Sequence, residues 1–134
     1  HSVVYNYMRR FISWAYFIAA PGGTSGWVGH ATLIPQKKPE IAMAYVIAGK
    51  YMGMHYTYLE AGSGADKPIN PKMIGMVKHA LGDNMLIVGG GIRDGATAKV
   101  NAMAGANMIV TGTIVEETKD VRSKIEELVS AIKK

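Results

Sequence analysis

Short apolar runs and longer amphipathic stretches alternate along the second half of the chain. The runs cover 55–61, 85–88 and 108–110, are rich in aromatic or branched residues, and each leads into glycine. Runs of this length and composition predict β-strands. Because the stretches between them suit helices with short connections, the pattern predicts parallel strands, right-handed crossovers and an α/β fold.

Local signals mark the ends of the first of these helices. Asn70 suits an N-cap, Pro71 suits the first helical position, and Gly82 is typical of a C-terminal stop. The spacing therefore predicts a helix over 70–81 with one apolar face. That face contains Met73, Ile74, Met76, Val77, Ala80 and Leu81.

Two further helices are predicted after it. Asp94 is the expected N-cap of the first, and Gly105 its stop. Its inward face is predicted to consist of Ala96, Val100 and Met103. The last helix presents a single apolar stripe, which is typical of a helix packed on a sheet. The stripe contains Val121, Ile125, Leu128, Val129 and Ile132.

The first half of the chain carries weaker signals. A strand is predicted over 14–20 and a helix over 40–54. One face of that helix combines Ile41, Tyr45, Ala48 and Met52. The segment 22–38 between them is predicted to be a long loop, and such loops tend to be functional lids or disordered. Residues 1–13 suit either a helix or an ill-fitting end.

Length and composition limit the architecture. The chain has 134 residues, 49% of them hydrophobic, and no cysteine. It is predicted to form a single domain over 1–134, without disulfides, thiolate metal sites or cysteine catalysis. Its apolar runs are too short to span a bilayer. It is also too short for a complete (β/α)8 barrel, which typically needs ~250 residues.

The charge pattern does not favour a nucleic-acid partner. The formal net charge is +5 and the sequence pI is about 9.5. In the last third, basic residues alternate with acidic ones, as on a solvated helix face, and no basic block is interleaved with aromatics. The surplus positive charge suits an anionic small molecule equally well.

Glycines at the strand ends are the main chemical signal. They lie at 62–64, 89–91 and 112. In parallel α/β folds the ligand site lies beyond the carboxyl ends of the strands, where glycine lets a phosphate reach backbone N–H groups. Helix N-termini near Asp94 and after Thr113 would add favourable dipoles. The plainer alternative is that these glycines only form turns.

Glu60 is the most informative side chain. It ends an apolar strand, where an unpaired carboxylate is costly. Either Arg93 or a lysine pairs with it, or it faces the ligand as a hydrogen-bond acceptor or general base. We favour the second interpretation because its neighbours are glycines. Tyr58 points to the same side by strand alternation, or else is an ordinary core tyrosine.

The motifs resemble those of a known enzyme family. The segments 58–65 (YLEAGSGA), 86–93 (LIVGGGIR) and 109–113 (IVTGT), with 21–29 (PGGTSGWVG) before them, are similar to the geranylgeranylglyceryl phosphate synthase family in its archaeal branch and its bacterial heptaprenylglyceryl phosphate relatives. The resemblance covers roughly 14–134. The segment beginning at Tyr58 is specific, whereas GGGIR occurs in many phosphate-binding barrels.

The resemblance implies a (β/α)8 TIM barrel that joins geranylgeranyl diphosphate to the 3-hydroxyl of sn-glycerol 1-phosphate with Mg²⁺, in the cytoplasm, as a step of archaeal membrane lipid synthesis. It implies that Glu60 is the catalytic residue, touching the glycerol hydroxyls. The implied sn-glycerol 1-phosphate site consists of Tyr58, Leu59, Glu60, Ala61, Gly62, Ser63, Gly64, Gly90, Gly91, Gly112 and Thr113.

The chain also departs from the family pattern. The family's metal-binding aspartate and a glycerol phosphate lysine belong to its first strand, which has no counterpart here, so no metal ligand is predicted in this chain. We therefore expect the second half of a barrel, with about four parallel strands, completed by a missing half or by a homo-oligomer. Two alternatives stay open: a catalytically incomplete phosphate-binding half-barrel, and another barrel enzyme acting on phosphosugars.

Overall fold

A computed structural model describes residues 12–133 of the chain. Four strands and six helices alternate through this range. They are β1 (Trp14–Ile18), α1 (Gly23–Val28), α2 (Pro39–Tyr51), β2 (Tyr56–Glu60), α3 (Pro71–Leu81), β3 (Met85–Gly89), α4 (Gly95–Met103), β4 (Met108–Val110), α5 (Thr113–Glu117) and α6 (Val121–Ile132). Residues 1–11, most of the segment for which both a helix and an ill-fitting end were left open, lie outside the described residues.

The strands form one parallel sheet in the order β1-β2-β3-β4. Sequential neighbours pair throughout, so each helix-containing connection returns the chain to the adjacent position. In this register Ile18 pairs with Glu60, and Glu60 pairs with Gly89. All four carboxyl ends therefore lie at one edge, as predicted for the candidate ligand site.

The two faces of the sheet have different surroundings. One face packs against α2 and α3 in a buried core that includes Val46, Leu59, Ile74 and Leu86. Strand alternation sends Tyr16, Tyr58 and Glu60 to the opposite face. The sheet therefore separates a helix-covered core from a face that carries the polar groups.

Local helix signals are confirmed. The Asn70 side chain accepts a hydrogen bond from Lys72 N at 2.9 Å, with Pro71 opening α3 and Gly82 ending it at φ 62°. The Asp94 side chain likewise accepts from Thr97 N at 2.7 Å. Both caps act within one helical turn, which is why the sequence suffices to predict them.

The buried face of α4 differs from the prediction. Gly95, Ala98 and Asn101 are buried, whereas the predicted inward residues Val100 and Met103 are 48% and 77% exposed, and Ala96 is exposed as well. The reason is close packing on α6, because a methyl group on Gly95 would lie only 3.1 Å from the Ala131 Cβ. Small residues let the two helices approach more closely than the larger apolar ones would.

Helix α2 also packs through small residues and leaves larger apolar residues exposed. It buries Ala42, Val46 and Gly49, and a methyl group on Gly49 would lie 3.2 Å from the Ala15 Cβ of β1. The apolar face recognised in the sequence is the exposed one. Its members are Ile41, Tyr45, Ala48 and Met52.

Two further expectations need correction. β4 was predicted to be buried, but it is a three-residue strand at the edge of the sheet, with Met108 and Val110 48% and 42% exposed. The predicted loop 22–38 contains helix α1, and its end returns to the sheet because Ile34 forms a parallel bridge with Ala19. Within residues 12–133, no helix combines the length and apolar character needed to cross a bilayer.

Candidate functional site

A cavity of about 150 Å³ opens at the carboxyl ends of β2, β3 and β4. Its walls come from the strand ends and the loops that follow them. The lining residues are Tyr58, Glu60, Ser63, Gly64, Gly90, Gly91, Ile92, Arg93, Val110, Thr111, Gly112, Thr113 and Ile114. The glycine-rich loops predicted from three separate strands therefore meet at one site.

The Glu60 carboxylate is fixed at this cavity by two hydrogen bonds. Its Oε1 accepts from Gly62 N at 2.7 Å and its Oε2 accepts from the Tyr16 hydroxyl at 2.9 Å. The residue is 7% exposed. A carboxylate offers about four lone-pair positions, so each oxygen keeps capacity for a ligand hydroxyl. Neither Arg93 nor a lysine forms an ion pair with Glu60 among the described residues.

Tyr16 was not recognised in the sequence as a site residue. It pairs in register with Tyr58 on the neighbouring strand, and the two rings stack with centroids 4.8 Å apart. Tyr58 in turn lies directly against Gly89, where any side chain would collide with its hydroxyl. The sequence offered one signal for Tyr16, the aromatic residues at alternate positions of β1. Which residues of β2 they lie beside is known only from the register of the sheet.

Burial and the neighbouring carboxylate raise the pKa of both phenols. Partial burial, with the hydrogen bond to Glu60 as the next cause, raises the pKa of Tyr16 to about 12. Burial and the Glu60 charge raise the pKa of Tyr58 as well. A tyrosine hydroxyl is already a hydrogen-bond donor at neutral pH, as the contact from Tyr16 to Glu60 requires, and the raised pKa extends that state into alkali.

The raised pKa of Tyr16 predicts a loss of stability in alkali. An unfolded tyrosine releases its proton near pH ~10, whereas folded Tyr16 holds its proton to about pH 12. The stabilisation that Tyr16 contributes is complete below pH ~10. It is lost as the pH rises from about 10 to about 12, because the unfolded chain then binds fewer protons than the folded protein. Urea midpoints measured across the interval should fall more steeply for the unsubstituted protein than for Tyr16→Phe. Parallel curves would contradict the prediction.

Glycines allow the loops of the site to pack without side chains between them. Gly62 has φ 113°, and a methyl group there would lie 2.8 Å from Gly23 N in the loop after β1. Gly90 has φ 82°, and a methyl group there would lie 2.5 Å from Gly62 O and 2.6 Å from Glu60 Oε1. The loops after β1, β2 and β3 therefore pack directly against one another, and the Glu60 carboxylate lies within that contact.

Only one of the two predicted helix N-termini is available to a ligand. At α4, Asp94 accepts from Thr97 N and Glu127 Oε1 accepts from Gly95 N at 2.7 Å, so protein carboxylates already occupy these amides. At α5, the N-cap position is Gly112, which makes no side-chain cap. Gly112 and Thr113 line the cavity. The expectation for the helix near Asp94 is therefore wrong.

Arg93 is the only basic side chain among the residues that line the cavity. Its guanidinium donates to Gly64 O at 3.4 Å, a long contact that joins the loops after β2 and β3. Nearby, the Thr111 hydroxyl donates to Ile92 O at 2.9 Å and ties the β4 end to the same loop. A ligand in the cavity would thus meet backbone amides, one carboxylate and one cation.

The structure brings eight of the eleven predicted substrate-binding residues to the cavity. They are Tyr58, Glu60, Ser63, Gly64, Gly90, Gly91, Gly112 and Thr113. Gly62 lies behind the wall, where it holds Glu60. Leu59 and Ala61 alternate to the opposite face and are fully buried in the helix-packed core. Their side chains serve the fold, so only their backbone could contact a ligand.

The described residues do not fit the magnesium ion that the resemblance implies. Within 12–133, no three His, Cys, Asp or Glu side chains group as potential metal ligands. Glu60 is the only acidic residue lining the cavity, and each of its oxygens already accepts a hydrogen bond. Mg²⁺ demands near-ideal octahedral oxygen geometry, and a single carboxylate held at both oxygens by protein donors is not free to adopt it. We derive no step through a metal at these residues.

Comparisons with known sequences agree with the motif resemblance. The sequence model described as the PcrB family matches residues 2–132. Geranylgeranylglyceryl phosphate synthase from Methanococcoides burtonii is 75% identical over 132 residues, 98% of this chain and 53% of that protein. The enzyme of the same name from Thermococcus kodakarensis is 53% identical over 125 residues, 91% of this chain and 49% of that protein. The chain thus spans about half the length of these curated relatives.

Solved structures show the same fold. (S)-3-O-geranylgeranylglyceryl phosphate synthase from Thermoplasma acidophilum, in complex with its substrate sn-glycerol-1-phosphate, superposes with a TM-score of 0.88 at 43% identity, over 91% of this chain and 49% of that chain. Wild-type GGGPS from Thermoplasma volcanium gives 0.86 at 41% identity, over 98% and 54%. The predicted fold class is confirmed: four parallel strand–helix units with the fold of part of a (β/α)8 barrel.

Proposed function

Because the chain belongs to the PcrB family, we propose that its cavity binds sn-glycerol 1-phosphate and that the protein joins this molecule to geranylgeranyl diphosphate. The observation that carries the proposal is the Glu60 carboxylate, fixed at two oxygens beside a glycine-walled cavity. Such a site pairs an acceptor for hydroxyl groups with amide donors for a phosphate. The relatives named as synthases of this ether support the same assignment.

The phosphate is assigned to the side of the cavity formed by the loops after β3 and β4. Gly90 and Gly91 have φ of 82° and 70°, conformations that turn successive backbone groups toward one point. Gly112 and Thr113 at the start of α5 add amides that precede the first helical hydrogen bonds. Arg93 contributes the single positive charge of the lining.

The glycerol hydroxyls are assigned to Glu60. In the proposed reaction the 3-hydroxyl oxygen forms a bond to the first prenyl carbon while the bond from that carbon to the diphosphate oxygen breaks. The hydroxyl proton passes to the Glu60 carboxylate, and diphosphate leaves with the bonding electron pair. A positioned general base of this kind typically contributes about 10²–10⁴-fold to a rate.

Three further parts of the proposal rest on the resemblance alone. The prenyl diphosphate, its Mg²⁺ and the cytoplasmic location stay predictions from the resemblance. The open face and edges of a four-stranded sheet require a cover, which we assign to further barrel strands or to a second chain.

A binding experiment tests the site apart from turnover. Calorimetric titration with sn-glycerol 1-phosphate should give saturable binding, and inorganic phosphate should bind the same site more weakly because it lacks the hydroxyls. The sn-glycerol 3-phosphate enantiomer and a phosphosugar serve as matched controls. Preference for a phosphosugar would favour the alternative of a barrel enzyme that acts on phosphosugars. Absence of sn-glycerol 1-phosphate binding at saturating concentration would contradict the proposal. Binding without prenyl transfer in the presence of Mg²⁺ would favour a non-catalytic phosphate-binding module.

A further inference from the structure

We propose that Tyr16 is a positioning residue for the reaction, acting through the orientation of the Glu60 carboxylate; the inference rests on the proposed function above. The Tyr16 hydroxyl donates to Glu60 Oε2 at 2.9 Å across neighbouring strands, 44 positions apart in the sequence. Tyr16 is absent from the residues that line the cavity, whereas Glu60 is among them. Its effect on a ligand therefore passes through the carboxylate.

Two contacts together restrict the carboxylate to one rotamer. Gly62 N holds Oε1 from the loop side and Tyr16 holds Oε2 from the strand side, so rotation about the last side-chain bond would break both. A glutamate side chain otherwise loses considerable conformational freedom on being fixed. With both hydrogen bonds in place, the Glu60 carboxylate is already ordered before a ligand binds. Ligand binding therefore does not have to supply the free energy that ordering this side chain costs.

The ring of Tyr16 is held independently of its hydroxyl. It stacks on Tyr58 with the planes 25° apart, in the position that the parallel register dictates. The hydroxyl is a donor at neutral pH, because a tyrosine releases its proton only near pH ~10 or above. Removing only the oxygen therefore preserves the stack and frees one side of the carboxylate.

The Tyr16→Phe variant tests this arrangement. Loss of a hydrogen bond to a charged group should weaken sn-glycerol 1-phosphate binding about tenfold. Inorganic phosphate binding should change less than about twofold, because phosphate contacts the glycine loops and not Glu60. Tyr56→Phe is the matched control, since Tyr56 lies on the same sheet face but stacks on Trp14 at the far end of the strand; it should bind both ligands normally.

A double-mutant cycle separates positioning from general loss of structure. In a Glu60→Ala background, which removes the carboxylate altogether, Tyr16→Phe should cause no further loss of sn-glycerol 1-phosphate binding, because the group through which Tyr16 acts is absent. All variants are made in the protein as its gene encodes it and checked by cooperative thermal unfolding. An equal loss for both ligands, or an undiminished effect in the Glu60→Ala background, would overturn the inference. If the unsubstituted protein does not bind sn-glycerol 1-phosphate, the proposed function itself fails, and that result is read before any variant is compared.

Discussion

Glu60→Gln should abolish most prenyl transfer while leaving the fold intact. The amide has the shape of the carboxylate, and its oxygen can still accept from Gly62 N, but it cannot take the proton of the glycerol hydroxyl. We expect kcat to fall by about 10²–10⁴-fold, the range of a lost general base. Steady-state transfer of a radiolabelled prenyl group to sn-glycerol 1-phosphate measures the effect.

The matched control is Glu127→Gln. Glu127 also accepts a backbone hydrogen bond, from Gly95 N, but it lies between α4 and α6 and does not line the cavity. Its substitution should leave kcat unchanged and lower the midpoint of thermal unfolding slightly, because the hydrogen bond to Gly95 N is weakened. Inorganic phosphate should bind both variants as it binds the unsubstituted protein. Full transfer activity in Glu60→Gln would exclude Glu60 as the base.

Gly90→Ala should cause the largest combined loss of stability and binding. The added methyl group would lie 2.5 Å from Gly62 O and 2.6 Å from Glu60 Oε1, and neither atom can easily withdraw, since one belongs to the backbone and the other is held by Gly62 N. The left-handed conformation costs alanine about 1–2 kcal/mol, and overpacking about 1–3 kcal/mol more. Urea unfolding and calorimetric titration should show both losses, with sn-glycerol 1-phosphate affinity reduced more than about tenfold.

Gly53→Ala isolates the conformational part of that effect. Gly53 has φ 80°, close to that of Gly90, but an added methyl group would have no neighbour within 4 Å. It follows α2 at the opposite end of the sheet, away from the cavity. Its substitution should cost only about 1–2 kcal/mol and leave ligand binding unchanged. Equal stability losses in the two variants would show that the contact between the loops does not matter.

The sequence alone was sufficient wherever the determining contacts are local or follow from sheet geometry. Asn70 and Asp94 cap their helices through amides two and three residues away. Parallel strands bring their carboxyl ends to one edge, so glycines and Glu60 at strand ends predicted a shared site. Eight of the predicted residues do lie at one cavity, which required no knowledge of how the helices pack.

Apolar spacing predicted the buried face of α3 correctly but not those of α2 and α4. In α2 and α4 the larger apolar residues lie outside, because Gly49 and Gly95 allow closer contact with β1 and α6 than those residues would. Apolar spacing marks a face, but the shape of the neighbouring element decides whether that face is used.

The remaining features of the site depend on contacts between distant residues. The hydrogen bond from Tyr16 to Glu60 spans 44 positions and depends on the register of β1 against β2. Glu127, 32 positions from Gly95, occupies the N-terminus of α4 and leaves the start of α5 as the one that opens on the cavity. The sequence therefore determined which loops line the cavity and which carboxylate they surround. Tertiary structure decided what holds that carboxylate and which amides stay free, because hydrogen bonds between distant segments exist only once the strands and helices have packed.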